Sequence, residues 1–314
     1  MVGYNPELKI NKADQAKAGA ISNVIARAVT QPFDVLKIRF QLQLEPISAG
    51  SSSSKYQSLL QAVKCMVREE GPRALWKGHL PAQCLSVSFG VVEFVCFENI
   101  TKHVWFHLPH ELSTTYKPLT HAVSGGMSSC LATVVVQPID IIRTRLVAQG
   151  EPKVYRSMYH AAESIIRLEG VRGFYKGLIP ACIGVAPQMG LQFGFYALLQ
   201  RVWNTALNLP YEHHPGGVES FICGSGSGFI SKLLIYPMDL TKKRLQVQGF
   251  EDARKRFGAV HQYRGLAHCL SSTLQHEGVR GLYKGLAPSL LKAVFATGTI
   301  FCVYDQVCFF LANR

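Results

Sequence analysis

Charge is scarce in this sequence and unevenly placed. Asp, Glu, Lys and Arg supply 17% of the 314 residues, and residues 119–139 and 178–199 contain none of them. At about 1.5 Å per helical residue, each of these stretches can cross a hydrocarbon core of about 30 Å. The hydrophobic fraction of 48% is ordinary for a soluble protein, so the distribution argues for a membrane where the total does not. Acids are the rarer sign: 20 against 33 bases, for a formal charge of +13. No nucleic-acid motif accompanies this surplus, which excludes nucleic acid as the expected partner and leaves an anionic surface or solute. The nine cysteines are odd in number and form no C-x-x-C pair, which argues against a disulfide framework or a zinc site. None of the 11 histidines stands in a nucleophile–base or metal-ligand motif; His213 and His214, the nearest temptation, read as polar linker. No enzyme chemistry, metal or resident cofactor is expected. No Arg precedes Arg27, whereas Glu7 and Asp14 do, so an Arg-rich, acid-poor leader is not expected and any organellar address is internal.

Four further apolar stretches hold one charge each: Arg27, Glu93, Lys232 and Lys292. Intramembrane charges usually face a bundle interior or a wet cavity, so these four are functional candidates. The chain also repeats itself. Pro32-x-Asp34-x-x-Lys37, Pro138-x-Asp140-x-x-Arg143 and Pro237-x-Asp239-x-x-Lys242 share one pattern. Glu70-Gly71, Glu169-Gly170 and Glu277-Gly278 each precede an aromatic-Lys-Gly triplet ending at Gly78, Gly177 or Gly285. Tyr56, Tyr155 and Tyr263 stand at one fixed distance before those Glu residues, and Pro81, Pro180 and Pro288 at one fixed distance after the Gly. The units are residues 1–108, 109–210 and 211–314, about twice the period of soluble helical solenoids. Each reads as an apolar helix, a short amphipathic helix at the membrane surface and a second apolar helix. The fold class expected is an all-α membrane protein with six transmembrane helices in three repeats.

Proline inside a membrane helix removes a backbone donor and kinks it, here at Pro32, Pro138 and Pro237. Just past each kink an acid and a base sit at i and i+3 on one face. Isolated charges in a membrane are costly, so the acid of one repeat is expected to pair with the base of the next, closing one end of a central cavity. Such pairs stabilise little once desolvation is counted, which suits a gate. Seven residues before the acids stand Arg27, Thr133 and Lys232, on nearly the same face. With Lys292, three cations then converge on one cavity, and phosphate groups match that charge density.

These patterns resemble the mitochondrial carrier family over essentially the full chain. The resemblance implies tilted helices, alternating access to one central site, an inner-membrane location and both termini in the intermembrane space. It implies the pairs Asp34–Arg143, Asp140–Lys242 and Asp239–Lys37, braced by Gln41 and Gln246, with Val147 where a third Gln would stand. It implies substrate contact points at Leu85, at Gly184 with Val185, and at Lys292. A Gly-aliphatic second point resembles the members that carry nucleotide-type substrates, and the implied cargo is thiamine pyrophosphate, exchanged against a nucleotide or phosphate compound. Adenine nucleotides, deoxynucleotides and coenzyme A stay open as alternatives, and a helical scaffold without transport is the reading of a different class. A wall of Gln188, Gln192, Phe193 and Phe89 suits a heteroaromatic ring. Glu93 either offsets a thiazolium charge or makes a structural hydrogen bond. Cardiolipin is the expected lipid partner, and the expected state is a monomer. The family's second motif, aromatic-acid-x-x-base, is incomplete: Phe97-Glu98 is followed by Thr101, Tyr196 by Ala197 and Gln200, and Tyr304-Asp305 by Cys308. A weak gate is expected at that end.

Overall fold

The computed structural model describes residues 12–47, 54–107, 117–207, 217–250 and 261–312. The loop holding His213 and His214 lies outside them. The described residues form α-helices in a thrice-repeated long–short–long order and contain no strand. The first repeat holds α1 (Lys12–Leu42), α2 (Leu59–Glu70) and α3 (His79–His107). The second holds α4 (Lys117–Ala148), α5 (Met158–Glu169) and α6 (Leu178–Ala206), and the third α7 (Gly217–Gln246), α8 (Leu266–Gly281) and α9 (Leu286–Ala312).

Local chemistry sets these boundaries. Ser58 and Ser157 cap α2 and α5, accepting hydrogen bonds from the backbone of Gln61 and His160. The long helices continue through Pro32, Pro138 and Pro237. Pro32 cannot donate to Ala28 O, and the Trp76 indole donates to that carbonyl instead, at 3.0 Å. At the next position back, Gln31, Gln137 and Tyr236 reach the carbonyls of Lys77, Lys176 and Lys284 at 2.9, 3.1 and 2.9 Å. Gly177 and Gly285 then turn the chain with φ near +76° and +83°. A Cβ there would lie 2.9 Å from Lys242 O and 2.8 Å from Lys37 O, so only glycine lets the second long helix of a repeat start against the first long helix of the next.

Those junctions set the packing. α3 lies along α4, α6 along α7, and α9 along α1, so the three repeats close into a ring. α1, α4 and α7 also meet one another. The core sits near their C-terminal ends, where Val35, Ile38, Phe40, Tyr56, Met66 and Val147 are buried together, and Ile141, Tyr155, Ile165 and Phe250 form a second cluster. The outer faces remain apolar and exposed, as at Phe94, Phe221, Val294 and Phe310. Among the described residues, four segments are long and apolar enough to cross a membrane: Pro72–Val104, Val123–Ala148, Val171–Ala206 and Leu286–Phe310. The sequence reading expected six. The other two long helices, α1 and α7, match in length but carry charges that composition counts against them and the fold turns inward.

Candidate functional site

Asp34, Asp140 and Asp239 sit two residues past a proline, where α1, α4 and α7 converge. Arg143 lies 2.6 Å from Asp34, Lys242 2.8 Å from Asp140, and Lys37 3.5 Å from Asp239. Every pair joins two repeats, in the cyclic order that the resemblance implies. Each carboxylate also holds a second cation. Lys292 stands 2.8 Å from Asp34, Lys243 2.9 Å from Asp140 and Lys232 2.5 Å from Asp239. Three acids therefore face six bases.

The bracing is asymmetric. Gln246, fully buried, donates to Asp140 at 2.9 Å and accepts from Lys243 and Thr144 at 2.9 and 2.8 Å. Gln41 does not touch Lys37 or Asp239 in the same way. Its Nε2 donates to the Tyr236 hydroxyl at 3.2 Å, because that ring fills the space beside Lys37, whose Nζ lies 5.8 Å from the ring centre. Val147 is buried, and its carbonyl accepts from Arg39.

The arginines of a second tier of charges were not singled out from sequence, although their Glu and Lys partners belong to the repeated pattern. Arg39, Arg145 and Arg244 stand five residues after the three acids, a threefold register that would have revealed them. Arg39 forks onto Glu70, Arg145 onto Glu169 and Arg244 onto Glu277, and Lys77, Lys176 and Lys284 join the same carboxylates. The arginines also cap the end of the next repeat's helix, Arg39 at Val147 O and Gln149 O, Arg145 at Gln246 O and Gln248 O, Arg244 at Gln41 O and Gln43 O. Burial opposes ionisation of Glu70 and Glu169, yet the bonds from Arg39 with Lys77 and from Arg145 with Lys176 hold both carboxyls below the usual range. Gln43, Gln149 and Gln248 tie these helix ends to the backbone of Tyr56, Tyr155 and Tyr263 at 2.9, 3.0 and 2.8 Å.

Lys232 and Lys292 are thus engaged with carboxylates, while Arg27 keeps a buried Nη1 without a hydrogen-bond partner. Thr133 donates to Ser129 O within its own helix. Glu93 accepts from Ser129 Oγ at 2.5 Å, so a hydrogen bond between α3 and α4 occupies it. Leu85, Val185 and Gln188 are half-buried, and Gln192 is exposed. Gly184 is buried, and a Cβ there would meet Ile235 and Met238 of α7 at 3.5 Å, an ordinary van der Waals contact. Phe193 is 68% exposed, and Phe89 is half-buried. Among the described residues no group of three His, Cys, Asp or Glu is placed to hold a metal.

At the other end of the long helices the ion pairs stay within a helix, Lys17–Asp14 and Lys102–Glu98, both at 2.8 Å or less. None among the described residues joins two repeats there.

Comparison with known proteins agrees with this geometry. The family described as "Mitochondrial carrier protein" matches residues 9–108, 114–207 and 213–314. A mitochondrial thiamine pyrophosphate carrier of Homo sapiens is 46% identical over 321 residues, spanning 100% of this chain and 98% of the relative. A mitochondrial thiamine diphosphate carrier of Zea mays is 38% identical, spanning 92% of this chain and 91% of its own. A mitochondrial thiamine pyrophosphate carrier of Aspergillus terreus is 35% identical, with 92% and 89% covered. With its three repeats matched in turn and its inter-repeat acids and bases paired in a ring, the chain belongs to the mitochondrial carrier family.

Proposed function

We propose that the chain is a multi-pass carrier of the mitochondrial inner membrane that imports thiamine pyrophosphate in exchange for a nucleotide or another phosphate compound. The observation that carries this reading is the full-length similarity to animal, plant and fungal proteins named as carriers of that compound. The surplus of cations at the converging helices supports it, since a diphosphate is the anion that six bases on three acids lack. No covalent step is required. The diphosphate competes with Asp34 for Lys292 and with Asp239 for Lys232, and once there its oxygens also compete for Arg143 and Lys37, the bases of two of the three pairs that hold α1, α4 and α7 together. Binding thereby favours the opening of that end, as differential affinity for two states demands. Both termini lie on the intermembrane-space side, the protein works as a monomer, and cardiolipin lies against the short helices.

Reconstitution into liposomes tests the reading. Labelled thiamine pyrophosphate is expected to enter liposomes preloaded with thiamine pyrophosphate or a nucleotide, and to do so faster than labelled ADP or coenzyme A. Uptake no better than in empty liposomes would remove the substrate assignment and leave the family untouched.

A further inference from the structure

His79 opens α3 and takes no part in the ion-pair ring. Its surroundings are set by three hydrogen bonds that tie this end of α3 to one face of α1. Trp76 Nε1 donates to Ala28 O at 3.0 Å, Gln31 Nε2 to Lys77 O at 2.9 Å and Gln83 Nε2 to Val24 O at 3.1 Å. Val24, Ala28 and Gln31 follow the helical period, and Arg27 stands three residues after Val24 and four before Gln31, on the same face. The His79 ring accordingly lies within electrostatic range of Arg27, and also of Arg143 on α4. One polar atom of each residue is buried without a hydrogen-bond partner, Nη1 of Arg27 and Nδ1 of His79. Asp34, the carboxylate whose charge reaches Arg27, is already held by Arg143 and Lys292.

Buried polar atoms without partners are costly, and native structures keep few of them. Here a guanidinium and an imidazole have unmet hydrogen bonds, a second guanidinium stands nearby, and the nearest carboxylate is occupied. The partner that satisfies such a set carries negative charge and several oxygens. We infer that His79 and Arg27 together receive the terminal phosphoryl group of the ligand, and that His79 sets the preference for a diphosphate over a monophosphate. The inner phosphoryl group then falls to Lys232 and Lys292, which reach the ligand from α7 and α9. The inference rests on the proposed function for the identity of the ligand; the chemistry of Arg27 and His79 requires only a terminal phosphoryl group.

Ligand-induced thermal stabilisation of the purified full chain tests this, with thiamine pyrophosphate, thiamine monophosphate and inorganic pyrophosphate as probes. The wild type is expected to favour thiamine pyrophosphate over the monophosphate, and His79→Ala to lower that ratio of affinities about tenfold, the scale of one hydrogen bond to a charged group. Its response to the monophosphate is expected to stay near wild type. His79→Gln, which keeps an N–H donor, is expected to recover part of the ratio. If His79→Ala proves less stable without ligand, His79→Gln against His79→Met, similar in size and different in donor, decides the same ratio. An unchanged ratio in the donor-free variant overturns the role of His79. A wild type indifferent to thiamine pyrophosphate removes the substrate instead, and the ratio is then read with ADP against AMP.

Discussion

The two ends of the helix ring are built on opposite principles. At the proline end, acids and bases on α1, α4 and α7 are paired across repeats, six bases on three acids, above a second tier in which Arg39, Arg145 and Arg244 clamp Glu70, Glu169 and Glu277. At the far end the described ion pairs, Lys17–Asp14 and Lys102–Glu98, lie one helical turn apart on exposed surface, where such pairs contribute little. The difference teaches which end needs a ligand. Charges held between repeats must be released together, and in the proposed function an anion drawn in by Lys232 and Lys292 competes for Arg143 and Lys37 to release them.

The proline end is itself uneven. Asp34 and Asp239 share their charge with a lysine assigned to the ligand. Asp140 instead holds Lys242 and Lys243, and Gln246 and Thr144 complete its shell. In the proposed function the ligand therefore acts on the Asp34 and Asp239 nodes directly and on the Asp140 node only through them.

Four substitutions break or sharpen this contrast. Asp34→Ala removes a buried carboxylate and leaves Arg143 and Lys292 facing one another; stability is expected to fall by about 3–5 kcal/mol and exchange to be lost. Thermal unfolding in detergent and liposome exchange measure both, and a wild-type melting temperature would contradict the ring. Next in size is Glu70→Gln, which strips the clamp from Arg39 and is expected to cost about 2 kcal/mol at neutral pH. Because the folded pKa of Glu70 is depressed, its contribution is fully present above the ordinary carboxyl value of about 4.3 and fades as pH falls through the lower folded value. The gap between the two melting curves should therefore close in acid, and a gap independent of pH would show that the charge of Glu70 is not what matters.

Lys243→Thr, which installs the residue found at the matching position of α4, should cost about 1 kcal/mol and raise ligand-independent efflux. Efflux from preloaded liposomes without external substrate is the readout; strict exchange at wild-type levels would argue that the Asp140 node is not limiting. The smallest effect is expected from building rather than breaking. Thr101→Lys supplies the base missing after Phe97-Glu98 and offers it to Asp305 of the third repeat, a pair worth about 0.5 kcal/mol. Exchange should slow by about twofold, reflecting a far end that now resists opening. Equal or faster exchange would deny that end any gating character.

Much of this was legible in sequence because the repeat is written in residue types. A proline, an acid three residues before a base, and a Glu-Gly followed by aromatic-Lys-Gly recur in register, and a ring of three has few ways to satisfy their charges. Other features were not legible. Gln41 and Gln246 occupy equivalent positions, yet only Gln246 meets a carboxylate, because Tyr236 stands where the other two repeats have Gln31 and Gln137. In sequence Glu93 reads equally as a ligand charge or a structural bond, and only the fold places Ser129 against it. The helix composition of α1 and α7 spoke against the membrane, since hydropathy counts a charge without knowing its partner.

By itself, then, the sequence determined the threefold unit, the order of its helices and the kinds of charge brought to the axis, because these depend on local period and on the cost of an unpaired ion in lipid. Only the tertiary structure decided how those charges are shared: that Lys232, Lys243 and Lys292 double the occupancy of three carboxylates, and that Nη1 of Arg27 and Nδ1 of His79 are left without partners. The physical reason is that pairing depends on distances between helices far apart in the chain, and no residue carries that distance in its own identity.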